Sequence, residues 1–161
     1  MKYKRVFLDT SFLIRLLDAS DPDFQNANTY FRRMLKEGTD FLLSTIVVAE
    51  YGVGSDIANL PIRQLRLLPF NFSHARLTAN FAQSAFIGRR KGALEVGSRV
   101  VIPNDTKLLA QAAVEGVDLF IGRDDNCESV WRFLKDNNEL QFLYLDLRTP
   151  PEAFFGELFS E

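Results

Sequence analysis

The sequence predicts an α/β domain: a central, mainly parallel sheet of four to five strands with helices on both faces. Two observations carry that expectation. Short apolar runs alternate with longer helical patterns from one end of the chain to the other, the order that favours a parallel sheet. The 161 residues show no repeat, no low-complexity tract and no linker of domain-separating length, and 47% hydrophobic with 25% charged residues is the profile of one globular domain.

The elements follow in order. Tyr3–Leu8 (YKRVFL) reads as a strand that closes on Asp9. Asp9 or Thr10 then caps a helix over Ser11–Leu17, because short oxygen side chains accept the orphan N–H groups of a first turn. A turn at Ser20-Asp21-Pro22 leads to a helix near Asp23–Lys36, stopped by Gly38. Phe41–Ser44 is a short strand, and Ser44 or Thr45 caps a third helix carrying Val47, Val48, Glu50 and Tyr51. Leu65–Phe70 reads as a short extended stretch in which Pro69 argues against a central strand. Ser73–Arg90 is an amphipathic helix with Leu77, Phe81 and Ala85 along one stripe, ending in the basic cluster Arg89-Arg90-Lys91. Gly97–Asn104 reads as a loop, and Asp105 opens a helix that runs to Glu115 and stops at Gly116. Val117–Ile121 is a buried strand, Asp124–Asn137 a loop then a helix, and Phe142–Leu147 the last strand. The domain is expected to span residues 1–147, with 148–161 an amphipathic tail bearing Phe154, Phe155, Leu158 and Phe159 that packs on the same domain.

Composition excludes several classes. The single cysteine, Cys127, forbids an intramolecular disulfide. No apolar run is long enough to suggest a membrane span, and no signal-peptide pattern opens the chain, so the cytoplasm is the expected location. A net charge of −2 excludes a uniformly basic nucleic-acid binder. The charge is nevertheless uneven: residues 61–103 hold seven Lys/Arg against one acid, Glu95, while residues 104–161 hold five basic against twelve acidic side chains. Such a middle suits a polyanion and such an acidic end suits cations, although solvated helix surface accounts for the same asymmetry. No GxGxxG or GxxxxGK[ST] loop is present to cradle a nucleotide, and a receiver domain's acidic pair and lysine are missing.

Four acids stand out by context. Asp9 follows the first strand, Glu50 lies on the helix after the second, Asp105 opens a helix, and Asp124 follows the strand VDLFI. In a parallel sheet such positions gather beyond the carboxyl ends of the strands, where open α/β sheets bind ligands. Alone, Asp9 and Asp105 are explained as helix caps, Asp124 as a loop acid and Glu50 as a surface-facing glutamate. Gathered in one cleft they repel each other and call for a hard divalent cation such as Mg²⁺ or Mn²⁺. One cysteine and one histidine leave no soft-metal pattern to compete, and both Cys127 and His74 are read as structural, His74 as an exposed residue at a helix start.

The stretches VFLDTSFLI, LLSTIVVAEYGVG, IPNDTKLLAQAAVEG and DLFIGRDDN, in this order and spacing, resemble the PIN-domain family, and within it the VapC-type toxins of bacterial toxin–antitoxin pairs. The likeness covers Val6 to about Leu147. It implies a Rossmann-like sheet and a Mg²⁺-dependent ribonuclease whose product carries a 5′-phosphate. It places the family's acids on Asp9, Glu50, Asp105 and Asp124, with Asp125 a substitute for the last, and its supporting hydroxyls on Thr10 and Ser11. Two positions depart from the pattern: Gly122 stands where the family usually has Thr or Ser, and Cys127 where an aromatic is common. The resemblance also implies an antitoxin partner and a homodimer. Arg15, Arg89, Arg90, Lys91 and Arg123 are candidates for the RNA backbone. A PIN nuclease of RNA processing or repair, and a catalytically idle PIN-like binding module, are the alternative readings.

Overall fold

The computed structural model describes residues 3–97 and 101–156. Five strands, β1 (Arg5–Leu8), β2 (Asp40–Ser44), β3 (Leu65–Leu68), β4 (Leu119–Gly122) and β5 (Leu143–Asp146), form one sheet in the order β3-β2-β1-β4-β5. Every pairing is parallel. The chain builds outward from β1 on one side, then returns to the other side through β4. The switch in direction therefore falls between the carboxyl ends of β1 and β4, which is where open α/β sheets form a crevice.

Burial along the strands matches their places. In the centre, Val6, Phe7 and Leu8 of β1 and all of β4 are buried, as strands covered on both faces must be. At the edges β3 and β5 are half exposed, and Pro69 directly after β3 is tolerated because that side of the strand has no partner.

The helices are α1 (Thr10–Leu16), α2 (Phe24–Lys36), α3 (Thr45–Gly54), α4 (Phe72–Arg90), α5 (Val101–Val114), α6 (Asp125–Asp136) and α7 (Pro151–Phe155), with two 3₁₀ turns at Ile57–Asn59 and Ile62–Gln64. They flank the sheet in two groups, α1, α2, α3 and α7 against one another, and α4, α5 and α6 against one another. Helix α2 buries Ala27, Tyr30, Phe31 and Met34, the i, i+3, i+4, i+7 stripe of an amphipathic helix. Phe31 stacks on Phe41 of β2 at 4.9 Å. In the second group α4 comes so close to α6 that a Cβ on Gly88 would lie 2.3 Å from the Phe133 ring. Gly38 and Gly116 end α2 and α5 with φ of 81° and 63°, a backbone state that favours glycine. The described part of the tail rests on the domain: Phe154 stacks on Tyr3 at 5.3 Å, and the Arg33 guanidinium sits over the Phe155 ring. Leu158 and Phe159 lie outside the described residues. No described helix is long and apolar enough to cross a membrane.

Two expectations fail. Helix α5 begins at Val101, not Asp105, with Pro103 inside its first turn, where a missing N–H costs nothing. His74 is not exposed but 1% accessible. Its Nδ1 accepts the Asn71 N–H at 3.0 Å in a reciprocal capping box, and its Nε2 lies 3.0 Å from the Glu115 carboxylate on the segment that follows α5. His74→Ala should therefore destabilise the fold by about 1–3 kcal/mol, the cost of buried polar partners left unmatched. Urea unfolding measures this, and a loss below a few tenths of a kcal/mol would show that the cap and the Glu115 pairing carry no stability.

Candidate active site

The ends of β1 and β4 and the starts of α1 and α6 are all local consequences of acidic caps. Asp9 caps α1 by accepting the Ser11 N–H at 3.2 Å, and Asp124 caps α6 by accepting the Cys127 N–H at 2.9 Å. Both carboxylates thus stand at helix N-termini, where the dipole favours negative charge. Ser44 rather than Thr45 caps α3, whose Glu50 faces the same opening. Asp105 does not open its helix: it sits on the second turn of α5. All four acids line one cleft of about 410 Å³.

The set is graded in depth. Asp9 is 7% exposed, Asp105 half-buried, and Glu50 and Asp124 exposed. Burial pushes the Asp9 carboxyl up to about 6, against two hydrogen bonds from Ser11 that lower it, and the Glu50 and Asp124 charges add to the rise. Burial likewise pushes Asp105 up to about 8, with further repulsion from Asp124, Asp9 and Glu50. The Asp105 Oδ2 is buried without a hydrogen-bond partner among the described residues. Clustered hard oxygens, one of them orphaned, with carboxyls held above their ordinary range by burial and by one another, are a donor set that fits a divalent cation of the Mg²⁺ or Mn²⁺ kind.

Hydroxyls hold this set. Thr10 Oγ1 donates to the Glu50 carboxylate. Ser11 Oγ donates to Asp9 and accepts the Arg123 N–H at 2.8 Å, so one hydroxyl ties the end of β4 to the acid after β1. Cys127 lies buried below, its thiol pushed up by burial and then by the surrounding acids, which keeps it an unreactive packing residue.

Asp125 is not among the acids of the cleft. Its exposed carboxylate pairs with Arg148 at 2.5 Å. With Glu128 and Asp146 it forms a separate trio whose oxygens lie within 4.8 Å of one another, but the Arg148 guanidinium occupies it, with Nε 2.7 Å from Asp146 Oδ2.

The basic candidates divide. Arg15 and Arg123 line the mouth of the cleft and share Asp23, at 3.5 and 2.9 Å. Arg89 borders an adjoining hollow that meets the cleft at Asn126. Arg90 and Lys91 are exposed at the end of α4. Asn104 and Asn126 also line the cleft, and Asp23 tethers its arginines; the sequence alone singles out none of the three. Asn104 and Asn126 sit inside the stretches IPNDT and GRDDN, the one signal that could have marked them. Asp23 has no such signal, because its partners lie up to 100 positions away.

No protein-family model and no curated protein matches the chain. Solved structures do. VapBC2 from Rickettsia felis, bound to a DNA fragment from its promoter, matches with a TM-score of 0.57 at 16% identity, over 88% of this chain and 98% of that one. DNA-bound VapBC from Salmonella typhimurium matches at 0.54 and 18% identity, over 89% and 98%. VapC20 from Mycobacterium tuberculosis, a toxin that cleaves the sarcin-ricin loop, matches at 0.50 and 19% identity, over 76% and 92%. The likeness is one of fold, and it agrees with the all-parallel five-stranded sheet and its flanking helices: the chain has the fold of a VapC-type PIN domain.

Proposed function

We propose that the chain is a metal-dependent ribonuclease and the toxin of a toxin–antitoxin pair. The observation that carries this reading is the meeting of Asp9, Glu50, Asp105 and Asp124, from four separate elements, in one cleft at the switch point of the sheet. The pairing with an antitoxin is supported by the VapBC complexes among the similar structures, and RNA as substrate by the sarcin-ricin-loop-cleaving toxin among them.

Asp9 and Asp105 would hold the cation, with Glu50 and Asp124 completing or supporting the set. When bound, Mg²⁺ or Mn²⁺ would supply a Lewis acid that makes a water easier to deprotonate and offsets charge on the scissile phosphate. The chain's own groups set up the reaction. Ser11 donates to the Asp9 carboxylate and Thr10 to Glu50, which orients both acids toward the cleft. The exposed carboxylates at the rim orient the attacking water and accept its proton. Arg15 and Arg123 flank the opening and hold backbone phosphate, while Arg89, Arg90 and Lys91 extend the grip beyond Asn126.

An RNA cleavage assay with Mg²⁺, Mn²⁺ and EDTA tests the activity. Cleavage should need the cation and fall to background in Asp9→Asn and Asp105→Asn while both variants remain folded by circular dichroism. Undiminished cleavage in Asp9→Asn would remove the assignment. Induced expression should arrest growth, and co-expression of the antitoxin should relieve it. Arrest by Asp9→Asn as strong as by the wild type would argue against toxicity through cleavage.

The raised carboxyls also predict a pH dependence of stability. Folded Asp9 and Asp105 keep protons up to about 6 and about 8 that the unfolded chain releases near 3.8. The folded state binds more protons between those limits, so its advantage is full below 3.8 and is lost as pH rises through them. Melting temperature in EDTA should fall from about pH 5 to about pH 8. Asp105→Asn should flatten the decline, and added Mn²⁺ should raise the melting temperature most at the alkaline end. A decline equally steep in Asp105→Asn would refute this assignment.

Neutralising Arg89, Arg90 and Lys91 to alanine should raise KM for RNA with kcat kept. The logarithmic salt slope of binding should drop by about 0.7 for each backbone phosphate that these side chains no longer neutralise. An unchanged slope places the RNA elsewhere.

A further inference from the structure

Gly122 ends β4 against the Tyr144 phenol, with Asp9 at ordinary contact distance on its other side. A Cβ there would lie 2.5 Å from the Tyr144 hydroxyl oxygen, 3.2 Å from Tyr144 Cζ and 3.5 Å from Asp9 Cβ. The phenol therefore occupies the space that a side chain at 122 would fill, directly before Arg123 and Asp124 of the cleft lining. It is delivered there by the sheet. Tyr144 of β5 pairs with Phe120 of β4, so its ring lies on the same face as Phe120 and Gly122. That ring is held between Phe120, at 5.5 Å, and Trp131 of α6, at 5.7 Å. The Trp131 indole is itself fixed by donating to the Phe142 carbonyl at 3.2 Å. From this clamp the hydroxyl donates to the Asp124 carbonyl at 3.4 Å. The same residue's carboxylate accepts the Cys127 N–H at 2.9 Å, so Asp124 is held through both its peptide and its side chain.

We propose that Tyr144 is a positioning residue for the acid cleft, its hydroxyl seated in the slot that Gly122 leaves open and holding Asp124 in place at the head of α6. This rests on the metal-dependent ribonuclease reading above. A tyrosine kept only for packing would need its ring and not its oxygen, and the two roles separate cleanly by substitution.

The test compares the wild type with Tyr144→Phe, Gly122→Ser and the double variant Gly122→Ser/Tyr144→Phe. Three readouts are taken: Mn²⁺ affinity by titration calorimetry, RNA cleavage with kcat and KM resolved, and thermal melting. Tyr144→Phe keeps the stacked ring, so melting should stay within about 3 °C. Its Mn²⁺ affinity and kcat should each fall about tenfold with KM unchanged, as when a hydrogen bond behind a metal ligand is removed. Gly122→Ser should lower the melting temperature, because its Cβ meets the phenol oxygen. The double variant removes that oxygen and supplies a new hydroxyl in the same slot, so it should recover both melting and Mn²⁺ affinity toward wild type. Wild-type Mn²⁺ affinity and kcat in Tyr144→Phe overturn the role. A double variant that folds yet binds Mn²⁺ no better than Tyr144→Phe also overturns it. A wild-type chain that neither binds Mn²⁺ nor cuts RNA fails at the first comparison, and then the ribonuclease reading falls with the positioning role.

Discussion

Four carboxylates crowd the crevice between β1 and β4, and one of them, Asp9, is almost wholly removed from water. A charge in that position is costly, and the Glu50 and Asp124 charges beside it increase the cost. Much of the surrounding architecture answers this one difficulty. Two of the acids stand at helix N-termini, Ser11 and Thr10 turn their hydroxyls toward carboxylate oxygens, and Arg15 and Arg123 approach from the mouth. None of these brings a full positive charge to the floor beside Asp105, whose Oδ2 lacks a partner among the described residues. The remaining imbalance is the strongest structural argument for a cation.

The contrast with the second acidic group is instructive. Asp125, Glu128 and Asp146 lie close together too, but near solvent and around the Arg148 guanidinium. That trio is already neutralised in large part by the chain itself. Proximity of acids alone therefore does not distinguish a site; burial and the lack, among the described residues, of an internal counter-charge do.

What the sequence makes legible is local. Asp9 stands out because a strand that closes on an acid, followed by a helical pattern, announces a cap, and it is one; Asp124 reads only as a loop acid after a strand, yet it caps α6. The edge position of β3 is legible from Pro69. Asp105 is marked by its motif, while its structural setting is not, because Pro103 reads as the end of a loop although proline is equally at home in a first helical turn. The burial of His74 is hidden because its stabilising partner, Glu115, is 41 positions away. The basic middle of the chain promises more free charge than the fold delivers: Arg66 is engaged with Asp40 at 3.0 Å across neighbouring strands, leaving less of that charge for a polyanion. Tyr144 cannot be found at all without the register of β4 against β5, which no pattern of single residues encodes.

The Ser11 hydroxyl, bonded at once to the Asp9 carboxylate and the Arg123 amide, has a mechanical consequence. The loop leaving β4 cannot drift from the loop leaving β1 without breaking bonds on both sides of one shared atom. A displacement of α1 would therefore pull on the start of α6, which ties the spacing of the two capping acids to one hydroxyl.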